Sequence, residues 1–208
     1  MEKTLHDAKR ARPGRGRSWL FAGLLVVGCS AGTGMTAERP GPVVDRALQQ
    51  SVAILGEASL GEEAKVERLR KVVMPLFDFA EMSRRSLGSH WRRRTAEQRE
   101  EFTSLFTRLL ERTYSKRISA YNGQQTRVVG EEIDDRFASV DTEILDRDGR
   151  RFKVDYRMHR TGEPAKWRIY DVVVEGISLV NNYRAQFNRV INRKSFENLV
   201  ERLRKQAG

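Results

Sequence analysis

The spacing of apolar residues along the chain changes twice, and each change separates helices from strands. Apolar residues recur every three or four positions up to about residue 121, alternate between 126 and 174, and return to helical spacing after 178. Helical spacing places apolar side chains along one side of a helix, whereas alternation places them on one face of a strand. The pattern therefore predicts an α+β domain, in which helices at both ends of the chain pack on an antiparallel sheet of four to five strands.

The strongest helix prediction runs from Thr95 to about Tyr121. Thr95 followed by Gln98 has the form of a capping box, in which two side chains satisfy backbone N–H groups at the helix start. Asn122-Gly123 offers a stop. One broad apolar face contains Phe102, Leu105, Phe106, Leu109, Leu110 and Ile118. A face of this size needs a partner, and the question is whether protein alone covers it.

Shorter elements precede and follow this helix. The pattern predicts helices over 43–55 and 61–73, then a break at Pro75 and a short helix capped by Asp78 and ended by Gly88. After the sheet, apolar spacing predicts two more helices, the second capped by Ser195.

The alternating region predicts a meander with one apolar and one polar face. Strands are expected over 126–132, 137–145, 152–158 and 166–174, with a hairpin turn at Asp146-Arg147-Asp148-Gly149. Such strands bury one face against helices and leave the other towards water.

The first 42 residues have the composition of an export signal and a linker. A basic run, Arg10–Arg17, precedes ten apolar residues, Trp19–Gly28, which are too few to span a bilayer but suit a secretory signal. Val26-Val27-Gly28-Cys29 resembles a bacterial lipobox, in which the cysteine receives a diacylglycerol. We therefore expect a lipoprotein-type signal over 1–29 with a lipid on Cys29, a flexible linker over 30–42, and one domain over 43–206. An ordinary signal peptide cut after Ala31 or Ala37 is the alternative.

The charge is basic, with a formal net value of +11. Residues 1–28 carry six basic and two acidic groups, so the rest of the chain has a net charge of +7. Its basic residues alternate with Glu and Asp, which is typical of a solvated surface and argues against a nucleic-acid-binding protein. A cationic surface also suits anionic membrane headgroups.

No motif in the sequence indicates catalysis or a metal site. The three histidines, His6, His90 and His159, lack the spacing of metal ligands, and no phosphate-binding loop or nucleophile elbow is present. We interpret Ser178 as a strand-end or helix-cap hydroxyl. Asp171 interrupts an apolar strand and should face a donor, for which Arg184 is the candidate.

Two segments carry a family resemblance. They are Leu76–Tyr114 and Trp167–Phe187, and their characteristic parts include Phe77-Asp78, Leu87-Gly88-x-x-Trp91, Phe102-x-x-x-Phe106 and Asp171-x-x-x-Glu175-Gly176-x-Ser178. In these residues, and in the order of elements over 43–206, the chain strongly resembles the MlaC family, the periplasmic phospholipid-binding proteins of the Mla pathway, also called toluene-tolerance or ABC transporter auxiliary proteins.

The resemblance implies a non-enzymatic lipid carrier of the envelope that maintains outer-membrane lipid asymmetry. Its expected cargo is phospholipid, without another cofactor, held in an apolar pocket enclosed by a twisted sheet and helices. Its expected partners are an inner-membrane ABC transporter with an Mce-domain subunit and an outer-membrane lipoprotein–porin complex, and the carrier itself is expected to be a monomer. The expected pocket lining is Val72, Val73, Phe77, Phe106, Leu110, Tyr114, Val140, Ile144, Val154, Tyr156, Ile169, Leu179 and Tyr183.

Two points stay open at the sequence level. Members of the family are typically soluble shuttles, so a lipid on Cys29 would hold this protein at one membrane of the periplasm. The alternative function is a basic, envelope-associated binding or scaffold module with a closed core that docks acidic partners. The amount of lipid extracted from the protein discriminates between carrier and scaffold.

Overall fold

The structure is a computed structural model of the chain that describes residues 38–118 and 123–207, with backbone alone for 114–118 and 207. The predicted signal peptide, Cys29 and most of the predicted linker lie outside the described residues. The six helices in the described ranges are α1 Pro40–Gly56, α2 Glu62–Val73, α3 Phe79–Leu87, α4 Ala96–Ile118, α5 Leu179–Arg193 and α6 Phe196–Ala207. Short 3₁₀ segments, Met74–Leu76 and Gly88–Arg93, lie before and after α3.

Five strands form one antiparallel sheet in sequence order. They are β1 Gln125–Asp134, β2 Phe137–Leu145, β3 Arg151–Thr161, β4 Lys166–Val174 and β5 Ile177–Ser178. Register shifts occur in β1 between Val128 and Gly130, and in the β3–β4 pair at Arg157 and Met158. The α+β architecture predicted from the sequence, a meander between two groups of helices, is confirmed.

The predicted capping residues occupy the helix ends. Thr95 and Gln98 exchange the two hydrogen bonds of a capping box at the start of α4. Asp78 accepts from the N–H of Glu81 at 2.9 Å, and Ser195 accepts from the N–H of Asn198 at 3.2 Å. Gly88 ends α3 with φ +55°, a backbone conformation that residues other than glycine rarely adopt.

Helix α1 begins at Pro40, three residues before the predicted start, because the sheet supplies a partner for its first turn. The N–H of Gly41 donates to Oε2 of Glu131 at 2.7 Å, and Arg39 forms an ion pair with the same carboxylate. The indole N–H of Trp167 donates to the carbonyl oxygen of Glu38 at 2.9 Å. Strands β1 and β4 therefore fix the start of α1 through contacts that are distant in sequence.

The apolar core consists of two clusters. The helical cluster joins α3, α4, α5 and α6, and its buried members are Met82, Leu87, Phe102, Leu105, Phe106, Leu110, Val180, Phe187, Phe196, Leu199, Val200 and Leu203. The sheet cluster lies between α1 and the sheet, and its buried members are Val44, Ala138, Val140, Met158, Trp167 and Ile169. Phe77 packs against both clusters.

Other helices of the protein cover the first half of α4. Phe102 and Phe106 are fully buried, and the ring of Phe106 lies 5.0 Å from Tyr183 and 5.3 Å from Phe187, centroid to centroid. Edge-to-face contacts of this kind add to the stabilisation that comes from burial. Along this half of α4, side chains of the protein itself therefore cover the apolar face.

Candidate functional site

The apolar face of the sheet consists of three rows of side chains that cross the strands. Residues paired directly across strands point to the same face, so the register defines the rows. The first row is Val140, Tyr156 and Val172; the second is Val128, Thr142, Val154, Val174 and Ile177; the third is Thr126, Ile144 and Phe152.

Exposure increases from the first row towards the third and, within the second row, towards the edge strand β5. Val140 in the first row is 0% exposed and Val154 in the second is 7% exposed. Phe152, Val174 and Ile177 are 37%, 45% and 67% exposed. Large apolar side chains that remain in contact with water and lie side by side mark a surface suited to an apolar ligand. We call this part of the sheet, Ile144, Phe152, Val174 and Ile177, the open end.

Helix α1 and the 3₁₀ turn at Met74–Leu76 explain why the first row is covered. Val44, Leu48 and Leu76 pack with Val140 and Met158 in the sheet cluster. Helix α2 packs on α1 and is joined to α4 by Arg70, which donates to Glu111 at 3.1 Å.

The structure divides the predicted lining residues between the two clusters. Val140, Tyr156 and Ile169 belong to the sheet cluster, and Val154 and Ile144 continue the same face towards the open end. Phe106, Leu110, Leu179 and Tyr183 belong to the helical cluster, and Phe77 contacts both. Val72 and Val73 are partly buried on α2, and the side chain of Tyr114 lies outside the described residues.

Sequence reasoning missed part of the open end. Phe152, Val174 and Ile177 fall within or next to predicted strands, but the predicted lining includes none of them. Alternation alone shows that such residues share a face, whereas their neighbours depend on the register. A β-bulge at Arg157/Met158 sets that register in the β3–β4 pair, pairing Val154 with Val174 and Tyr156 with Val172.

Two surface concavities lie elsewhere and contain none of the predicted lining residues. One, of about 440 Å³, lies between α3 and α4 and is lined by Ala80, Trp91, Arg99, Glu100, Thr103 and Ser104. The other, of about 210 Å³, lies on the sheet and is lined by Glu132, Asp134, Phe137, Ala138, Ser139, Arg157 and Tyr170.

Asp171 and Ser178 anchor the start of α5. The Ser178 hydroxyl donates to Oδ2 of Asp171 at 2.6 Å and accepts from the N–H of Asn181 at 3.0 Å. Oδ1 of Asp171 accepts from the N–H of Val180 at 3.0 Å. Ser178 is therefore the helix cap that the sequence predicted.

The predicted ion pair between Asp171 and Arg184 is wrong. Arg157 lies 3.4 Å from Oδ2 of Asp171 because the bulge in the β3–β4 pair makes the two residues direct cross-strand partners. Arg184 instead donates from Nε to the carbonyl oxygen of Arg85 at 2.9 Å, at the end of α3.

Tyr156, in the first row of the apolar face, is a titratable residue. Burial raises the pKa of Tyr156 to about 12, so its phenol stays neutral at physiological pH. Nε2 of His159 lies 3.0 Å from Oδ2 of Asp78, the cap of α3. Within 38–118 and 123–207, no group of three or more His, Cys, Asp or Glu side chains is arranged to hold a metal ion. No helix in the same ranges is long and apolar enough to cross a membrane.

Fold and site together define an α+β protein whose sheet is covered by helices on one half of its apolar face and exposed at the other. The family model described as MlaC protein matches residues 45–205, and the chain belongs to this family.

Individual relatives agree with the family match. The chain is 24% identical over 142 residues to the intermembrane phospholipid transport system binding protein MlaC of Haemophilus influenzae, a match that covers 67% of this chain and 66% of that protein, just under two thirds of its length. It is 26% identical over 168 residues to toluene tolerance protein ttg2D of Pseudomonas putida, covering 76% of each.

A solved structure has the same fold. The phospholipid-binding protein of Ralstonia solanacearum, determined in complex with a phospholipid, superposes with a TM-score of 0.72 at 25% identity. The match covers 82% of this chain and 97% of that one.

Proposed function

We propose that this protein is a non-enzymatic phospholipid carrier of the bacterial envelope. The observation that carries the proposal is the open end of the sheet, where Phe152, Val174 and Ile177 continue a buried apolar face into solvent. Each methylene removed from water contributes about 0.8 kcal/mol, so acyl chains laid along this face gain substantially from burial. A bilayer offers comparable burial, so loading and unloading are nearly balanced, as a carrier requires.

The relatives support phospholipid as the cargo. The Ralstonia protein of the same fold was solved with a phospholipid bound, and the Haemophilus relative is named as the binding protein of an intermembrane phospholipid transport system. The engagement of Ser178 and Asp171 in holding α5 accounts for these residues without a catalytic role. We therefore propose binding and transfer rather than lipid hydrolysis.

The family resemblance supplies the route. We propose that the protein exchanges lipid in the periplasm between an inner-membrane ABC transporter with an Mce-domain subunit and an outer-membrane lipoprotein–porin complex. The intermembrane system named for the Haemophilus relative is consistent with this location.

We propose that acyl chains contact the sheet side of the predicted lining first. Val140, Tyr156 and Ile169 form the covered part of this side, and Ile144 and Val154 lead to the open end. The helical members of the predicted lining, Phe106, Leu110, Leu179 and Tyr183, would meet lipid only where it reaches the helical cluster, which Phe77 links to the sheet.

A pair of matched substitutions tests this proposal. Val174 lies at the open end and is 45% exposed, whereas Val129 is 49% exposed and falls at the β1 bulge, outside the paired rows. We expect Val174→Glu to reduce co-purifying phospholipid at least about fivefold, because acyl chains would have to desolvate the new carboxylate. Val129→Glu adds the same charge at the same exposure and should keep the wild-type lipid content.

Native mass spectrometry and lipid extraction of the three proteins give the readout, with thermal unfolding as a check on the fold. Wild-type protein without phospholipid would contradict the carrier function and favour a scaffold with a closed core. Equal loss of lipid in both variants would contradict the placement of the site at the open end.

A further inference from the structure

Tertiary structure brings together two stretches of the chain that contain no acidic residue. Residues 82–96 contain five arginines, and residues 176–196 contain three arginines and one lysine, with no Asp or Glu in either. The first stretch forms most of α3 and the 3₁₀ segment Gly88–Arg93, and the second includes β5 and all of α5.

Direct contacts make the two stretches one continuous surface. Helices α3 and α5 pack against each other. His90 and Asn188 are joined by a hydrogen bond of 2.8 Å between Nε2 and Oδ1, and Arg184 donates to the backbone of Arg85. At the far end, the guanidinium of Arg94 lies 4.6 Å from the ring centroid of Phe196, at the start of α6.

Most of the basic groups on this surface are available to a partner. Arg84 and Arg85 pair with Glu81, and Arg94 lies 3.9 Å from Glu197. The remaining six are exposed, and none of them forms an ion pair with another described residue. We call these six the basic surface: Arg92, Arg93, Arg184, Arg189, Arg193 and Lys194.

The opposite edge of the sheet has the reverse charge. Residues 125–148, which contain all of β1 and β2, carry eight acidic and three basic groups. Helix α5 packs on β4 and β5, and β1 lies three strands from β4, about 14 Å at the usual strand spacing. The molecule is therefore polarised, so that an anionic surface attracts one side and repels the other.

We propose that the basic surface docks the protein onto the phosphate headgroups of an anionic phospholipid bilayer. Positively charged side chains attract phosphate groups, and adjacent basic groups add their attractions at a charged membrane.

A bilayer fits this surface better than an acidic protein does. Protein–protein interfaces are usually centred on large apolar anchors. Among the described residues, the large apolar side chains that are exposed all lie on strands: Val129, Ile133, Phe152, Val174 and Ile177. Ile177 belongs to the second stretch, but none of the five lies on α5 or on the 3₁₀ segment Gly88–Arg93, which carry five of the six groups of the basic surface. A headgroup layer requires positive charge without such an anchor.

The docking role goes beyond lipid carriage and does not depend on it. A carrier could exchange its acyl chains with protein complexes alone, without contacting a bilayer. The basic surface would place the protein on the bilayer itself. The two functions therefore need separate readouts.

Vesicle flotation with charge variants of the full chain tests the proposal. One variant combines Arg92→Gln, Arg93→Gln, Arg189→Gln and Arg193→Gln, which breaks no ion pair between described residues. The matched control combines Arg136→Gln, Arg147→Gln, Lys153→Gln and Lys166→Gln, which removes the same charge from exposed positions of the sheet and its turns and also breaks no ion pair between described residues. A third variant changes the same four arginines of the basic surface to lysine. All proteins in this experiment, the wild-type reference included, also carry Cys29→Ala, so that a lipid on Cys29 cannot contribute to vesicle binding. Residues 1–37 are then identical in all of them, and differences in binding report on the substituted positions.

We expect wild-type protein to bind phosphatidylcholine vesicles containing about 30 mol% phosphatidylglycerol, and to bind pure phosphatidylcholine at least about tenfold more weakly. Binding should weaken as NaCl rises from about 50 to 300 mM, because salt screens exposed charges. The glutamine variant should lose at least about tenfold in affinity for the anionic vesicles. The sheet control and the lysine variant should stay within about threefold of wild type, since bilayer attraction depends on local charge rather than on guanidinium geometry.

Three results would overturn the proposal: equal wild-type binding to both vesicle types, unchanged binding of the glutamine variant, or an equal loss in the sheet control. Phospholipid content, measured on the same preparations by native mass spectrometry, keeps the two functions apart. A glutamine variant that carries lipid but does not float supports docking as a separate property. A protein that contains no lipid but still floats through the basic surface would contradict the proposed lipid carriage and leave the docking proposal intact.

Discussion

At the scale of single residues, the motif that carried the family resemblance has a structural role. Asp171 is 3% exposed and accepts three hydrogen bonds, from Ser178, from the backbone of Val180 and from Arg157. Glu175 and Gly176, both with positive φ, form the tight turn between β4 and β5, and Glu175 also accepts from the N–H of Lys153. These residues fix the direction in which α5 leaves the sheet.

We expect Asp171→Asn to lower the free energy of unfolding by about 2 kcal/mol, because hydrogen bonds to a buried carboxylate are stronger than bonds to a neutral amide. The amide also presents a donor where Ser178 donates. Urea denaturation of the variant and wild type at the same pH provides the measurement.

Arg184→Gln is the control for this prediction. It removes the partner suggested by the sequence, but in the structure that side chain donates to a backbone carbonyl at the protein surface. It should cost less than about 1 kcal/mol. A loss as large as that of Asp171→Asn would contradict the pairing with Arg157.

At the scale of elements, the register of the sheet creates an unfavourable pair. Asp141 on β2 and Asp155 on β3 are direct cross-strand partners, and like charges in that position destabilise a sheet. Burial raises the pKa of Asp155, and the carboxylate of Asp141 adds to the shift. The sequence pattern placed both residues on the polar face, but only the register made them neighbours.

A pH-dependent stability difference is expected from this pair. A raised pKa in the folded protein means that folding disfavours the ionised form, so this group lowers the free energy of unfolding as pH rises through its titration range. Asp155→Asn should therefore increase the free energy of unfolding at pH 7 by about 0.5 kcal/mol. The gain should shrink towards zero below about pH 3, where the wild-type carboxyl is protonated.

Chemical denaturation of both proteins between these pH values provides the measurement. Asp135→Asn, in the exposed turn between β1 and β2, is the control and should leave the pH dependence unchanged. A loss of stability at pH 7 in Asp155→Asn would show that attraction to the nearby basic groups outweighs the repulsion from Asp141.

At the scale of the whole molecule, two apolar clusters meet at Phe77. The helical cluster is closed by aromatic contacts among α4 and α5, whereas the sheet cluster runs out into the open end. This asymmetry supports the proposal that the cargo lies on the sheet, while α5 and the 3₁₀ segment Gly88–Arg93 carry the basic surface.

The predicted lipid on Cys29 determines whether this carrier moves freely. Because α1 begins at Pro40 and contacts with the sheet hold Glu38 and Arg39, only residues 30–37 of the predicted linker separate Cys29 from the domain. Eight residues reach at most about 29 Å when fully extended, so a lipid-anchored protein would serve one membrane. Growth with a labelled fatty acid should label the wild-type protein, and Cys29→Ala should remove the label. Equal labelling of the two proteins, or none on the wild type, would contradict the anchor and favour a free shuttle.

The sequence by itself determined the class of the fold and the positions of several helix ends. The spacing of apolar residues changes from a period of 3.6 to a period of 2 and back, because each element must bury one face. The helix caps Thr95, Asp78 and Ser195 bind backbone groups within four residues of themselves. These effects are local, so they can be read without coordinates.

Tertiary structure decided everything that depends on distant residues. The register and its bulges selected Arg157 rather than Arg184 as the partner of Asp171, and aligned Val154 with Val174 and Ile177 across three strands. Packing of α3 against α5 joined two stretches about 90 residues apart into one basic surface. A hydrophobic pattern states which face of an element is apolar, but only packing determines whether protein covers that face or leaves it for a ligand.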